Sequence, residues 1–213
     1  MRPARVRLVD LGLERDFGTM LAFAESLIQS LGTRAGDSPI AEVEFIRTRD
    51  SETVKAAFRS PAHVLHITAH GDNGPDSLGF WSDDERTTFY LSDLAETFSD
   101  EGDGIEAPVI LADCCASAQG RFVRAIRDCI EAPAVYIGAR KSVDWRESTT
   151  FASAFYAAYF RNRGRGLTPT ERGMRAAERA IKGYQEIVDA PCPFTASILA
   201  PSRKAVRSFG RSH

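Results

Sequence analysis

Two short apolar runs in this chain each stop at a residue that can do chemistry. One runs from Ala62 through Val64, Leu65, His66 and Ile67 to His70-Gly71. The other runs from Ala107 through Val109, Ile110 and Leu111 to Asp113-Cys114-Cys115. A cysteine works as a thiolate, and an imidazole within hydrogen-bond reach can take its proton and later hand it to a leaving amine. His-Gly is a common dipeptide and buried cysteines are common, so neither half means much alone; the two together at strand ends predict a nucleophile-base dyad of Cys115 and His70. Gly71 carries no side chain to obstruct a substrate carbonyl, so its N–H is expected to join that of Cys115 around an oxyanion.

Strand alternation puts Asp113 and Cys115 on one face and Cys114 on the other. Cys115 is expected to stand directly before a helix, whose N-terminus lowers a thiol pKa. Cys114 is expected to pack under helices, and Cys129 and Cys192 to be structural. His66 lies deeper in its strand than His70 and is expected to act through packing. At roughly 3.3 Å per residue His66 and His70 are about 13 Å apart, and His63 faces the other side, so the three predict no metal site. The acidic stretch Asp100, Glu101, Asp103 and Glu106 reads as a solvated loop rather than a calcium site. No cofactor is expected.

The elements that must deliver these residues alternate. Residues 6–10 read as a strand, and Phe17, Met20, Leu21, Ala24, Leu27, Ile28 and Leu31 recur at helical spacing, with Asp16 as cap and Gly32 as stop. A second strand over 41–46, a short helix over 51–59 and the run ending at His70 complete a βαβαβ pattern, which predicts a parallel sheet with helices on its faces. In such sheets sites form at the C-terminal edge of the strands. Gly74-Pro75 marks a turn, and 78–81 and 87–90 read as a hairpin around Asp83, Asp84 and Glu85. After a helix over 91–98 come the Cys115 strand, a helix starting near Ala116, a strand over 134–138 and a helix over 149–161. Thr168-Pro169-Thr170-Glu171 is a capping box that opens a long helix to about Val188, and 194–199 closes the sheet.

The bulk numbers are those of one ordinary globular domain: 213 residues, 43% hydrophobic, 26% charged, net charge -2. The charge balance offers nothing to nucleic acid, and no apolar run spans a bilayer. The basic N-terminus lacks the apolar core of a signal peptide, and four cysteines, two of them adjacent, do not make a disulfide framework; a cytoplasmic location is expected. Asp10-Leu11-Gly12-Leu13-Glu14 is neither a P-loop nor a dinucleotide fingerprint.

The two motifs resemble those of the caspase-haemoglobinase clan, which holds caspases, metacaspases and the bacterial CHAT peptidases. His70-Gly71 resembles the clan's His-Gly strand end. Asp113-Cys114-Cys115-Ala116-Ser117 resembles the Asp-Cys-Cys-His-Ser-Gly of metacaspases, with Ala116 in place of His; there the second Cys is the nucleophile. Ile137-Gly138-Ala139-Arg140 and Phe155-Tyr156 are similar to the CHAT pattern that follows its Cys. The resemblance implies a caspase-like three-layer α/β/α sandwich with a mostly parallel central sheet over residues 1–200, a basic tail over 201–213, and a cysteine endopeptidase acting on protein or peptide substrates.

For specificity, the metacaspase likeness implies that Asp113 lines the primary pocket and selects Arg or Lys, with Asp144 as a second carboxylate. Asp113 could instead cap the following helix. Against the basic pocket, Asp144-Trp145-Arg146 resembles the Ser-Trp-Arg of caspases, whose Arg binds a substrate Asp. Cleavage after Arg or Lys is favoured. Trp145 and Trp81 are candidates for the cleft wall, with core packing as the default. There is no long linker after the Cys helix to be cut, so an activating or inhibitory partner, upstream protease or ligand is expected to control the enzyme. The competing functions are a catalytically idle binding module, or another hydrolase or acyltransferase using the same dyad.

Overall fold

The computed structural model describes residues 3–31, 40–72, 74, 77–82, 88–161 and 166–202. Its centre is a six-stranded sheet. The strands are β1 (Ala4–Asp10), β2 (Ala41–Arg47), β3 (Val64–Thr68), β7 (Val109–Asp113), β8 (Ala134–Ala139) and β9 (Phe194–Leu199), in the order β2-β1-β3-β7-β8-β9. All neighbours run parallel except β9, which pairs antiparallel with β8 at one edge. β3 and β7 are buried at every position. That is why their sequences read as unbroken apolar runs: helices cover both faces of the sheet.

On one face lie α1 (Arg15–Leu31), α5 (Trp145–Arg161) and α6 (Pro169–Val188). They bury Met20, Leu21, Ile28, Phe151, Phe155 and Tyr159 against Val6, Leu8, Val64, Val109 and Leu111 of the strands. On the other face α2 (Ser51–Arg59), α3 (Leu91–Glu101) and α4 (Gly120–Cys129) bury Phe58, Phe98, Phe122 and Ile126 against Val9, Leu65, Ile67 and Ile110. The result is the three-layer α/β/α sandwich that the sequence predicts, with alternate residues of each strand feeding opposite cores.

Several element boundaries differ from expectation, and each difference bears on the site. β3 stops at Thr68, and His70-Gly71-Asp72 begins a separate strand, β4. β4 pairs with β5 (Gly79–Trp81), which pairs with β6 (Thr88–Tyr90), in a small antiparallel sheet of their own. The expected hairpin is therefore a three-stranded unit that takes in the His-Gly segment; Pro75 and the tip at Asp83, Asp84 and Glu85 lie outside the described residues, as do Gly32 and 203–213 of the basic tail. α4 starts at Gly120, not near Ala116, and α5 starts at Trp145, so Asp144 flanks a helix. Asp16 sits in the first turn of α1 rather than ahead of it.

α6 opens with the predicted capping box, the Thr168 hydroxyl accepting the Glu171 N–H at 3.2 Å while Glu171 accepts the Thr168 N–H at 2.8 Å. One turn later Gly173 lies against β7: a Cβ there would stand 2.4 Å from Cγ2 of the fully buried, rotamer-restricted Val109. Gly173→Ala gains about 1 kcal/mol of helix propensity, but overpacking costs about 1–3 kcal/mol. The expected net effect is a loss of up to about 2 kcal/mol in urea unfolding, reversed in the double variant Gly173→Ala/Val109→Ala relative to Val109→Ala alone. A stabilised single variant would mean that α6 shifts freely over the sheet.

Candidate active site

The sheet order reverses at β1: the chain leaves β1 for β2 on one side and returns to β3 on the other. The crevice beyond the strand ends at such a switch point is where ligands bind in open α/β sheets. The segment after β1 is drawn tight there. Asp10, fully buried at the end of β1, accepts the Leu13 N–H at 2.8 Å, and Leu13 takes a left-handed φ of 64°. Arg47, from the end of β2, pairs with Asp10 at 3.3 Å and donates to the carbonyls of Leu13 and Glu14. Burial pushes the Asp10 carboxyl up, while the Leu13 N–H and the Arg47 guanidinium pull it down. This loop turns the Glu14 carboxylate onto His70 Nε2, and the Phe17 ring packs against the imidazole at 5.2 Å between centroids.

Cys115 follows β7 in a turn rather than at a helix N-terminus, because Ala116 adopts φ 57° and α4 begins only at Gly120. The helix-terminus account of its reactivity is thereby replaced. The turn is fastened to the end of β8. Ala116 N–H donates to the Lys141 carbonyl at 3.1 Å and Ala118 N–H to that of Ala139 at 2.8 Å. The buried Ser117 hydroxyl lies 2.8 Å from the carbonyls of Ala112 and Cys114 and accepts the Ala139 N–H at 2.8 Å. Cys115 Sγ lies 3.8 Å from the Val143 carbonyl. Cys114 is buried in the opposite core, and burial pushes its thiol well above the ordinary value. Of the two thiols, the accessible one is that of Cys115.

Gly71 has a packing role that the sequence reading did not assign. A Cβ on it would stand 2.3 Å from the Cys115 carbonyl oxygen and 3.2 Å from Cys114 Sγ. The space a side chain would occupy is filled by the Cys turn, so the bare glycine seats β4 on that turn and brings His70 beside Cys115.

His70 and Cys115 open into one cavity of about 190 Å³ whose walls include Glu14, Asp16, Phe17, Asp113, Asp144, Trp145 and Ser148. Four of the lining residues are carboxylates and none is Lys or Arg. Asp113 does not cap a helix. It is buried, accepts from the Ser148 hydroxyl at 2.6 Å and lies 3.4 Å from His66 Nε2. His66 in turn meets the Tyr156 hydroxyl at 3.0 Å, so it belongs to a polar cluster and not simply to the apolar packing expected of it. Asp144 caps α5, accepting the N–H groups of Arg146 and Glu147 at 2.8 and 2.9 Å while Glu147 accepts its own N–H at 3.1 Å. Trp145 lines the cavity; Trp81 does not, and its indole donates to the Ser77 carbonyl. The Arg146 guanidinium stacks over Trp145 at 5.4 Å and is not among the lining residues. Glu14 and Ser148 carry no motif that marks them; the one usable signal was that Glu14 falls just after a strand that ends at the sheet's functional edge.

No protein-family model and no curated protein matches this chain. Solved structures do. A secreted C11 cysteine protease from Bacteroides thetaiotaomicron, in complex with an irreversible peptide inhibitor, is 14% identical with a TM-score of 0.56, over 87% of this chain and 60% of that one. Another structure of a secreted C11 protease from that organism, "iotapain", is 12% identical with a TM-score of 0.57, over 92% and 67%. Gingipain R, an Arg-specific cysteine proteinase, is 10% identical with a TM-score of 0.50, over 89% and 45%. The chain thus spans 60% of the first of these proteins, and it shares their caspase-like fold.

Cys115 is the accessible thiol of the site, and the Glu14 carboxylate meets His70 Nε2. Iodoacetamide should label Cys115 in the folded protein and spare Cys114; equal labelling of the two would refute the assignment. With a carboxylate on Nε2–H, the unprotonated nitrogen of the ring is Nδ1. Glu14→Gln can present an amide N–H to Nε2 and favour the wrong tautomer, so alkylation of Cys115 should slow by about ten- to a hundredfold with the fold intact. An unchanged rate would remove Glu14 from the site.

Proposed function

We propose that this protein is a cysteine endopeptidase of the caspase, metacaspase and CHAT type that cleaves after Arg or Lys. The observation that carries the reading is the cavity itself: a thiol and an imidazole open into a space walled by four carboxylates and, among the described residues, by no Lys or Arg. Asp113 and Asp144 are the carboxylates on the Cys115 side; Glu14 is engaged with His70. A basic side chain before the scissile bond would meet Asp113 and Asp144 in a partly desolvated space, where charge-assisted hydrogen bonds are strongest.

In the proposed reaction His70 Nδ1 takes the Cys115 thiol proton as sulfur attacks the substrate carbonyl. The resulting imidazolium, held by Glu14, returns that proton to the departing amine. Water, deprotonated by the same nitrogen, then hydrolyses the acyl-enzyme and regenerates the thiol. Cleavage after Asp through Arg146 has less support, since that guanidinium stacks on Trp145 and lines no part of the cavity.

Cys115→Ala and His70→Ala should abolish peptide cleavage in folded protein, and Cys114→Ala should keep much of it. Asp113→Asn should lower kcat/KM for Arg peptides by about 1.5–3 kcal/mol, roughly one to two decades, and affect uncharged peptides less. Asp144→Asn is the cleaner variant, because Asn caps a helix about as well as Asp; it should weaken Arg cleavage while leaving the unfolding midpoint nearly unchanged. A profile that favours Asp or Glu, and that Arg146→Ala destroys, would replace this reading with the caspase-like one.

A further inference from the structure

Behind the cavity wall a row of polar side chains runs through the buried face between sheet and α5. Tyr156, His66, Asp113 and Ser148 are all buried, and only Asp113 and Ser148 of the four line the cavity. The Tyr156 hydroxyl is 3.0 Å from His66 Nδ1, His66 Nε2 is 3.4 Å from Asp113 Oδ2, and Ser148 donates to Asp113 Oδ1 at 2.6 Å. The ends of the row set the direction of donation. A carboxylate only accepts, so Nε2 carries the imidazole hydrogen and Nδ1 accepts from Tyr156, a tautomer assigned from the network. Burial, and next the charge of Asp113, push Tyr156 well above the usual phenol range, so it keeps its proton to donate.

Each oxygen of Asp113 therefore has one acceptor position filled, Oδ1 by Ser148 in the cavity wall and Oδ2 by His66 behind it. A carboxylate oxygen accepts two hydrogen bonds, which leaves one position on each for the cavity. The terminal torsion of an Asp side chain is otherwise broad; here Ser148 and His66 hold it from opposite oxygens. A planar guanidinium needs both free positions in one plane, whereas an ammonium is a point charge indifferent to that plane.

We propose, on the reading that Asp113 meets a basic side chain, that His66 is a specificity-determining positioning residue: with Tyr156 behind it and Ser148 opposite, it fixes the plane of the Asp113 carboxylate and so selects Arg over Lys. His66 makes no contact with substrate; it acts through Asp113.

The test is kcat/KM on matched fluorogenic peptides with Arg, Lys or norleucine before the scissile bond, in wild type, His66→Leu, His66→Gln and Tyr156→Phe. Wild type should prefer Arg. The Arg-to-Lys ratio should fall about tenfold in His66→Leu, mainly through KM for Arg, and about threefold in Tyr156→Phe. It should recover in His66→Gln, whose amide N–H can reach the same oxygen. The iodoacetamide rate at Cys115 should stay within about twofold of wild type, which general loosening of the site would not allow. If His66→Leu does not fold, Tyr156→Phe, lacking a single oxygen, decides. An unchanged Arg-to-Lys ratio in the folded variants, or a wild type that prefers Lys, overturns the role of His66 while leaving the basic-substrate reading standing. A wild type that cleaves norleucine peptides and neither basic one overturns that reading and this role with it.

Discussion

Gly71 and the Cys115 carbonyl lie so close that no Cβ fits between them, and that contact seats the segment carrying His70 on the Cys turn. It lets the chain leave β3 at Thr68, cross to the small sheet and still keep His70 beside the Cys turn. The turn has its own tie of the same kind: Gly138 gives way to Ser117, whose Oγ would stand 2.9 Å from a Cβ there. Ser117 joins the ends of β7 and β8 through the carbonyl of Ala112 and the N–H of Ala139. His70 and Cys115 are thus located by close contacts across neighbouring strand ends, one at Gly71 and one through the Ser117 hydroxyl. Interiors packed to crystal density have low compressibility, so such contacts fix the two residues more narrowly than a loop could.

Two buried carboxylates flank this centre, and their partners differ in a way that separates their roles. Asp10 has a cation, Arg47, and a main-chain N–H; its charge is used inside the protein to shape the loop that carries Glu14. Asp113 has the Ser148 hydroxyl and the His66 imidazole, and no Lys or Arg pairs with it among the described residues. Burying a carboxylate without a cation is costly unless hydrogen bonds and a ligand offset it. The first group is satisfied within the fold. The second is held in place by hydrogen bonds within the fold and lines the cavity.

The family of solved neighbours narrows this picture in one respect only. Proteins as different as a secreted C11 protease and gingipain R share this chain's fold at 14% and 10% identity. A fold shared at that distance reflects conserved packing constraints; the chemistry rests on the residues the strands deliver to the edge.

Much of this was legible in the chain because it rests on periodicity. Unbroken apolar runs mark strands buried on both faces, alternation places Asp113 away from Cys114, and Thr168 to Glu171 signals a helix start through local hydrogen bonds alone. These are properties of neighbouring residues, so sequence by itself determined the layered fold, the arrival of His70 and Cys115 at one cavity, and the parity of Asp113. What it could not determine were the meetings of residues distant along the chain. Glu14 reaches His70 only because β1 and β3 are adjacent and Arg47 pulls the intervening loop inward; Ser148 and Tyr156 reach Asp113 and His66 only because α5 begins at Trp145 and lies across the ends of β3 and β7. Gly71 reads as an oxyanion glycine from its neighbours, and its packing role shows only once the Cys turn is folded against it. A side chain's partner across a sheet is set by register and crossover, and no local pattern encodes either; that is why His70 and Cys115 stood out in the sequence and the groups that contact them emerged only from the tertiary structure.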